Sequence, residues 1–167
     1  MARNEPDSVV TLSLLDRLID KEPDTKSEAA LTRPQSVRLL KASLRRDLEW
    51  LLNTRRIAEE AGDEFPELSA SLYNYGLPDF TSFSVGSPKD RLKLLRVLEI
   101  TIRNFEPRLD AVRITPIEAA NAGPLNRVLR FQIEGLLKMD PAPEQVSFDT
   151  VLQLTSGEYQ VKGDRGA

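Results

Sequence analysis

The run Ile102-Arg103-Asn104-Phe105-Glu106-Pro107-Arg108-Leu109-Asp110-Ala111-Val112-Arg113-Ile114-Thr115 changes its hydrophobic period part-way along. Upstream of it and into it, Leu92, Leu95, Leu98, Ile102 and Phe105 recur at intervals of three and four, the spacing of one helix face. Leu94, Val97 and Ile100 broaden that stripe, so the helix is expected to be largely buried at the centre of the domain. Ser87 before Pro88 is its expected N-cap, with Asp90 in the first turn. Downstream, Val112 and Ile114 alternate with Arg113 and Thr115, the spacing of a half-buried strand. Pro107 stands at the change and bars Glu106 from the α region, which ends the helix.

More strands follow. Leu129, Phe131, Ile133 and Leu137 alternate with Arg130, Gln132, Glu134 and Lys138. Val146, Phe148, Thr150, Leu152 and Leu154 alternate with Ser147, Asp149 and Gln153, and a short fourth strand fits Tyr159 to Val161. The connections, Asn121-Ala122-Gly123-Pro124 and Asp140-Pro141-Ala142-Pro143, are loop chemistry, and such short links favour an antiparallel meander with one wet face. A sheet this small has two edges, which are covered or used to bind another strand.

Before the period change the chain reads as helical. Val37, Leu40, Leu44, Leu48 and Leu51 mark a helix from about Pro34 to Asn53, opposite Arg38, Lys41, Arg45 and Glu49, with Thr32 and Gln35 spaced as a capping box. A shorter helix, Pro66 to Tyr73, ends at Asn74-Tyr75-Gly76-Leu77-Pro78-Asp79, where Gly76 suits a left-handed turn and Pro78 stops resumption. The class is therefore α+β: N-terminal helices packed as one layer on a three- to four-stranded antiparallel sheet. The expected divisions are 1–33, an N-terminal amphipathic segment and linker; 34–162, the domain; and 163–167, a flexible tail. In the first, Val9 to Asp20 puts Val10, Leu14, Leu15 and Leu18 on one helical stripe ahead of a polar linker, Lys21 to Arg33. That stripe docks either on its own domain or on another chain.

Composition narrows the chemistry. A chain of 167 residues, 40% apolar, fits one domain with one core. It has no Cys, which excludes disulfides, thiolate nucleophiles and Cys-ligated zinc, and no His, which removes the commonest general base and metal ligand. With 23 basic and 26 acidic residues the net charge is −3, unlike the basic footprint of a nucleic-acid binder. No apolar run approaches the ~18 residues of a membrane span, and Arg3, Glu5 and Asp7 stand where a secretory signal would be apolar. The expected location is cytoplasmic.

Glu106-Pro107-Arg108 has two readings. It closes a turn, its charges solvated or paired with each other, or it is a rigid corner projecting opposite charges towards partner chains. A glycosidase-like pair of Glu106 with Asp79 or Asp110 is a poor third, because Arg108 favours the charged carboxylate, the wrong form for a general acid. Asn53-Thr54-Arg55 reads as a helix end or a contact, and Tyr75-Gly76-Leu77-Pro78-Asp79 as a tight turn with a core-filling aromatic or a contact. Trp50 suits the core or a semi-buried edge; Arg45-Arg46 and Arg55-Arg56 read as solvated faces.

Taken in order, several short segments resemble one family. They are Leu14-Leu15-Asp16-Arg17-Leu18, Asp47-Leu48-Glu49-Trp50-Leu51-Leu52-Asn53-Thr54-Arg55, Tyr75-Gly76-Leu77-Pro78-Asp79, Phe105-Glu106-Pro107-Arg108-Leu109 and Phe148-Asp149-Thr150. Over roughly residues 12–161 they are similar to TssE, the lysozyme-like baseplate subunit of type VI secretion systems, related to a wedge protein of contractile phage baseplates. The resemblance implies a structural subunit without hydrolase activity, metal or cofactor, at the base of a contractile sheath. It implies the wedge subunits TssF and TssG and the first-ring sheath proteins TssB and TssC as partners, with Glu106, Pro107 and Arg108 contributing to baseplate–sheath assembly. A sheet edge that accepts a sheath strand would supply the mechanism.

Overall fold

The structure is a computed structural model that describes residues 9–19, 23–24, 30–58, 64–80, 87–117, 128–153 and 156–164. The readings of residues 1–8, Asp20, most of the linker, the Asn121–Pro124 loop, Leu154 and residues 165–167 lie outside the described residues. In chain order come α1 (Leu14–Leu18), α2 (Arg33–Asn53), two 3-10 turns (Pro66–Ala70 and Leu72–Asn74), α3 (Pro88–Phe105), β1 (Leu109–Pro116), β2 (Val128–Leu137), β3 (Glu144–Gln153) and β4 (Glu158–Asp164). The strands form one antiparallel sheet in the order β1-β2-β3-β4, the expected meander. Its inner face carries Val112, Ile114, Leu129, Phe131, Ile133, Val146, Phe148, Leu152, Tyr159 and Val161 into the core. Phe131 and Tyr159 meet edge-to-face with centroids 6.3 Å apart.

Both long helices begin as their sequences dictate. The Thr32 N–H donates to Gln35 Oε1 (2.9 Å) ahead of Pro34, and Ser87 Oγ accepts the Asp90 N–H (3.4 Å) ahead of Pro88. Leu40, Leu44, Leu48, Leu51 and Leu52 of α2 are buried against the sheet on the β4 side, and α3 lies over β1. The joint at Pro107 falls where the period changes. The Glu106 N–H still bonds the Ile102 carbonyl (2.8 Å), and the Leu109 N–H bonds the Glu106 carbonyl (3.1 Å), so the chain turns straight into β1.

Four expectations are corrected. α3 is rotated from its expected phase: Leu94, Leu95, Leu98, Thr101 and Ile102 are buried, while Leu92 is 67% exposed and Ile100 is also outside. Residues 66–74 form two 3-10 turns rather than an α-helix. Ser71 interrupts them, its hydroxyl donating to the Leu68 carbonyl (2.9 Å) and accepting from the Tyr73 N–H (3.2 Å), and Leu72 buries nothing that would reward a longer helix. α1 is five residues, not twelve, because Ser13 caps it by accepting the Asp16 N–H (3.3 Å) and the preceding residues are not helical. β4 is longer than Tyr159 to Val161, pairing with β3 out to Asp164 beyond a register shift.

Candidate functional site

The segments singled out in the sequence meet at two junctions on the helical side of the molecule. The first is built on α2, which offers Ser43, Arg46 and Asp47 to the joint between α3 and β1. Arg108 forks onto Glu106, with Nε 2.7 Å from Oε1 and Nη2 2.6 Å from Oε2. Its Nη2 also reaches Asp47 Oδ2 (2.7 Å), and Nη1 reaches Ser43 Oγ (3.4 Å). Asp47 then accepts from Arg46 Nε (2.9 Å), and Arg46 Nη1 donates to Asp16 Oδ1 of α1 (2.6 Å). Asp16 also accepts from the Ser13 hydroxyl. The result is an alternating chain, Asp16–Arg46–Asp47–Arg108–Glu106, across three elements far apart in sequence.

Of the readings of Glu106-Pro107-Arg108, the geometry is the paired one. Glu106 is 5% exposed and turned inward, so its charge does not project; Arg108 is half-buried and Pro107 exposed. The bidentate fork is the strongest form of such a pair. Hydrogen bonding to Glu106 in the first place, then the Glu106 and Asp47 charges, raise the Arg108 pKa against the opposing effect of burial. Asp16 is held below the usual carboxylate range although burial alone would raise it, because the hydrogen bonds of Arg46 and Ser13 and the Arg46 charge prevail. Beside this chain lies a groove of about 400 Å³ lined by Leu15, Tyr75, Phe105, Pro107 and Arg108 among others. Tyr75 packs edge-to-face on Phe105 at 5.4 Å, and burial, then the charges of Asp47 and Glu106, raise its pKa.

The second junction joins the end of α2 to the Tyr75–Asp79 turn and to β4. The Leu77 N–H bonds the Thr54 carbonyl (2.8 Å) and the Arg56 N–H bonds the Leu77 carbonyl (3.0 Å), forming a parallel bridge of Arg55 with Leu77. Gly76 lies against Thr54 at φ +103, the left-handed conformation its sequence context called for. Asn53 has a tertiary role beyond ending the helix: its amide bonds both the N–H and the carbonyl of Tyr159 (2.9 and 2.8 Å).

Other residues fall elsewhere. Leu14 and Leu18 point outward at 70% and 74% exposure, Arg17 is exposed, and Leu15 edges the groove. Pro78 is half-buried and Asp79 exposed. Phe148-Asp149-Thr150 belongs to β3, with Phe148 and Thr150 in the core. Trp50 is 53% exposed, more than a semi-buried edge, and stacks under the Arg46 guanidinium, 4.9 Å from the ring centroid. Arg46 is therefore a network residue rather than part of a solvated face. Sequence reasoning missed Arg46 and Ser13. Ser13-x-x-Asp16 is a capping-box spacing and could have flagged the α1 start, whereas nothing local reveals the partners of Arg46.

A family model described as baseplate wedge protein gp25 matches residues 38–142. The chain belongs to the gp25 baseplate wedge family. The match takes in α2 from Arg38 onward, the Tyr75–Asp79 turn, α3, the Glu106-Pro107-Arg108 joint, β1 and β2. No curated protein sequence matches the chain. Among solved structures, a chain of the baseplate complex from the type VI secretion system is similar over 70% of this chain and 96% of its own length, at 22% identity and a TM-score of 0.46. For a gp25-family chain, a structural role in a baseplate agrees with the chemistry at Glu106. Both of its carboxylate oxygens accept from Arg108, so the group is engaged as a structural acceptor. Among the described residues no helix is long and apolar enough to cross a membrane.

The network predicts how α1 is held. Replacing Asp16 with Asn removes the charge that orients Arg46 on Trp50, the sole tryptophan. Asp16→Asn should shift the Trp50 emission while changing global stability by about 1 kcal/mol or less, as for a partly exposed ion pair. In the unsubstituted chain the same shift should appear on acidification. A lowered carboxylate pKa stabilises above the unfolded value, about 3.9, and that contribution is lost as pH falls through the folded value. An emission spectrum that stays flat from pH 7 to pH 2 until global unfolding would refute the coupling.

Proposed function

We propose that this gp25-family chain works as the TssE subunits it resembles. It would join the wedge subunits TssF and TssG to the sheath proteins TssB and TssC at the first ring and help start sheath polymerisation, in the cytoplasm at the membrane-proximal baseplate. The observation that carries the reading is the convergence of its motif segments. Leu14–Leu18, Asp47–Arg55, Tyr75–Asp79 and Phe105–Leu109 are separate in sequence, but each sends at least one residue (Leu15, Asp47, Tyr75 and Phe105 among them) to one groove and its charged chain. Shared surface is a reason for such segments to be present together that fold alone does not supply for exposed leucines.

In this reading α1 and the groove rim form the contact to wedge subunits, and Glu106-Pro107-Arg108 shapes that contact from beneath. Leu14→Asp with Leu18→Asp tests it, since both side chains are exposed and their exchange should alter fold stability by less than about 0.5 kcal/mol. In cells with a fluorescent sheath protein, the double variant should accumulate normally yet give at least ten-fold fewer sheaths, and it should fail to retain TssF and TssG in a pull-down. Normal sheath numbers with both subunits retained would sink the role assigned to α1.

A further inference from the structure

We propose that the outward face of α3 is a docking surface for an acidic amphipathic helix of another protein. The face follows from the rotation of α3. With Leu94, Leu95, Leu98, Thr101 and Ile102 turned to the core, Lys89, Leu92, Lys93, Arg96, Ile100 and Arg103 fall on the opposite side, and all six are exposed. They lie within an arc of about 100° and span about 20 Å of helix. No carboxylate lies inside that arc. The nearest, Glu99, stands on its border and pairs with Arg103 at 2.9 Å. Among the described residues Lys89, Lys93 and Arg96 have no ion pair, whereas Lys41, Arg46 and Arg108 hold carboxylates at 2.7, 2.6 and 2.7 Å. In a chain of net charge −3, unspent positive charge is thus gathered on one helix face. Its apolar side chains are uncovered as well, Leu92 at 67% and Ile100 at 48% exposure, about two turns apart on either side of Arg96.

The occupant follows from how these groups alternate. Lys89, Leu92, Arg96, Ile100 and Arg103 recur at intervals of three and four, the seam spacing by which one helix packs along another. A helix laid along the seam would set carboxylates against Lys89, Lys93, Arg96 and Arg103, and apolar side chains against Leu92 and Ile100. A bilayer surface fits less well. Interfacial helices gather apolar side chains on one face and cations on the other. Here the broad apolar face of α3 is already buried in the domain, and a cation interrupts the outward pair. Single-stranded nucleic acid is met by aromatic stacking platforms, and the seam has none. The groove beside Arg108 uses Phe105, which lies roughly opposite this face on the same helix. The two surfaces are therefore distinct, and the proposal does not rest on the role given to α1.

Photocrosslinking of the full chain, in the cells that produce it, tests the proposal. A benzophenone amino acid replaces Leu92 or Ile100, with the exposed Gln160 of β4 as the control position, and the crosslinked peptides are sequenced. Both α3 positions should capture the same segment of one other protein, and Gln160 should not. That segment should have helical apolar periodicity and a clear excess of Asp and Glu. Lys93→Glu with Arg96→Glu should lower capture about ten-fold or more, because like charges then face each other. The urea midpoint should stay where it is, since both side chains are exposed. Lys93→Arg with Arg96→Lys should leave capture near normal, and Lys in place of the facing acids of the captured segment should restore it to the Glu variant. Capture of a segment without the acidic excess, of lipid or of a second copy overturns the proposal. So does capture no greater than at Gln160, capture undiminished in the Glu variant, or a loss that the reversed partner does not rescue.

Discussion

Arg108→Ala should destabilise the fold by about 3–5 kcal/mol in urea unfolding, the cost of stripping the partner from a buried charge. Glu106 is 5% exposed, and the fork of Arg108 supplies both of its oxygens while reaching Asp47 as well. Without the guanidinium, the Glu106 carboxylate loses its cation in a site almost closed to water, while Asp47 keeps Arg46 as its partner. Arg108→Lys should recover only part of the loss, since an ammonium supplies charge without the fork that spans Glu106 and Asp47. The Arg103–Glu99 pair of α3 is the internal reference. Its side chains are 62% and 33% exposed, so Arg103→Ala should cost no more than about 1 kcal/mol. Equal losses for the two arginines would mean that Glu106 is solvated and the inward geometry wrong.

This has a consequence for assembly experiments. The Glu106-Pro107-Arg108 joint, one of the segments that carry the TssE resemblance, is also a folding element, so lost sheath formation in an Arg108 or Glu106 variant mixes two causes. The exposed leucines of α1 separate them, because Leu14 and Leu18 lie outside the core. Within the joint, charge is spent on position: the alternating chain from Asp16 to Glu106 fixes α1 and the turn relative to α2.

How far the sequence foretold this depends on the range of each interaction. The helix, the proline stop and the strand around Glu106-Pro107-Arg108 follow from neighbours a few residues apart, and they stand where the period put them. The phase of α3 was not legible. Eight apolar residues spread round too wide an arc, and only the position of β1 decides that Leu94 goes inside and Leu92 outside. The network was hidden for a related reason. Arg46 meets Asp16 thirty residues away and Arg108 meets Asp47 across sixty-one, separations at which charge order along the chain carries no signal. Asn53 illustrates the same limit, being readable as a helix end but not as the group that closes β4, 106 residues on. Gly76 was legible as a left-handed position, while the reason it admits nothing larger lies in its neighbour across the junction.

At that junction Gly76→Ala should cost on the order of 3 kcal/mol or more, from two effects that add. At φ +103 an L side chain is strained, by roughly 1–3 kcal/mol for a residue held in a sparsely populated region. A Cβ there would also lie 2.5 Å from the Thr54 carbonyl oxygen and 2.8 Å from its carbon, both backbone atoms that cannot rotate away. Relief requires Thr54 and Leu77 to separate, which breaks the 2.8 Å bond between them and opens the bridge that holds the turn to α2. Gly157 gives the contrast. Its φ is +71, but a Cβ there meets only Arg55 Nη2 at 2.9 Å, the tip of a flexible side chain, so Gly157→Ala should cost about 1–2 kcal/mol, from the conformation alone. If backbone conformation were the whole effect, the two substitutions would shift the urea midpoint alike. A clearly larger shift at Gly76, together with lost Tyr75–Phe105 contact in aromatic NMR spectra, is the expected result, because Tyr75 reaches the groove only while its neighbour stays against Thr54.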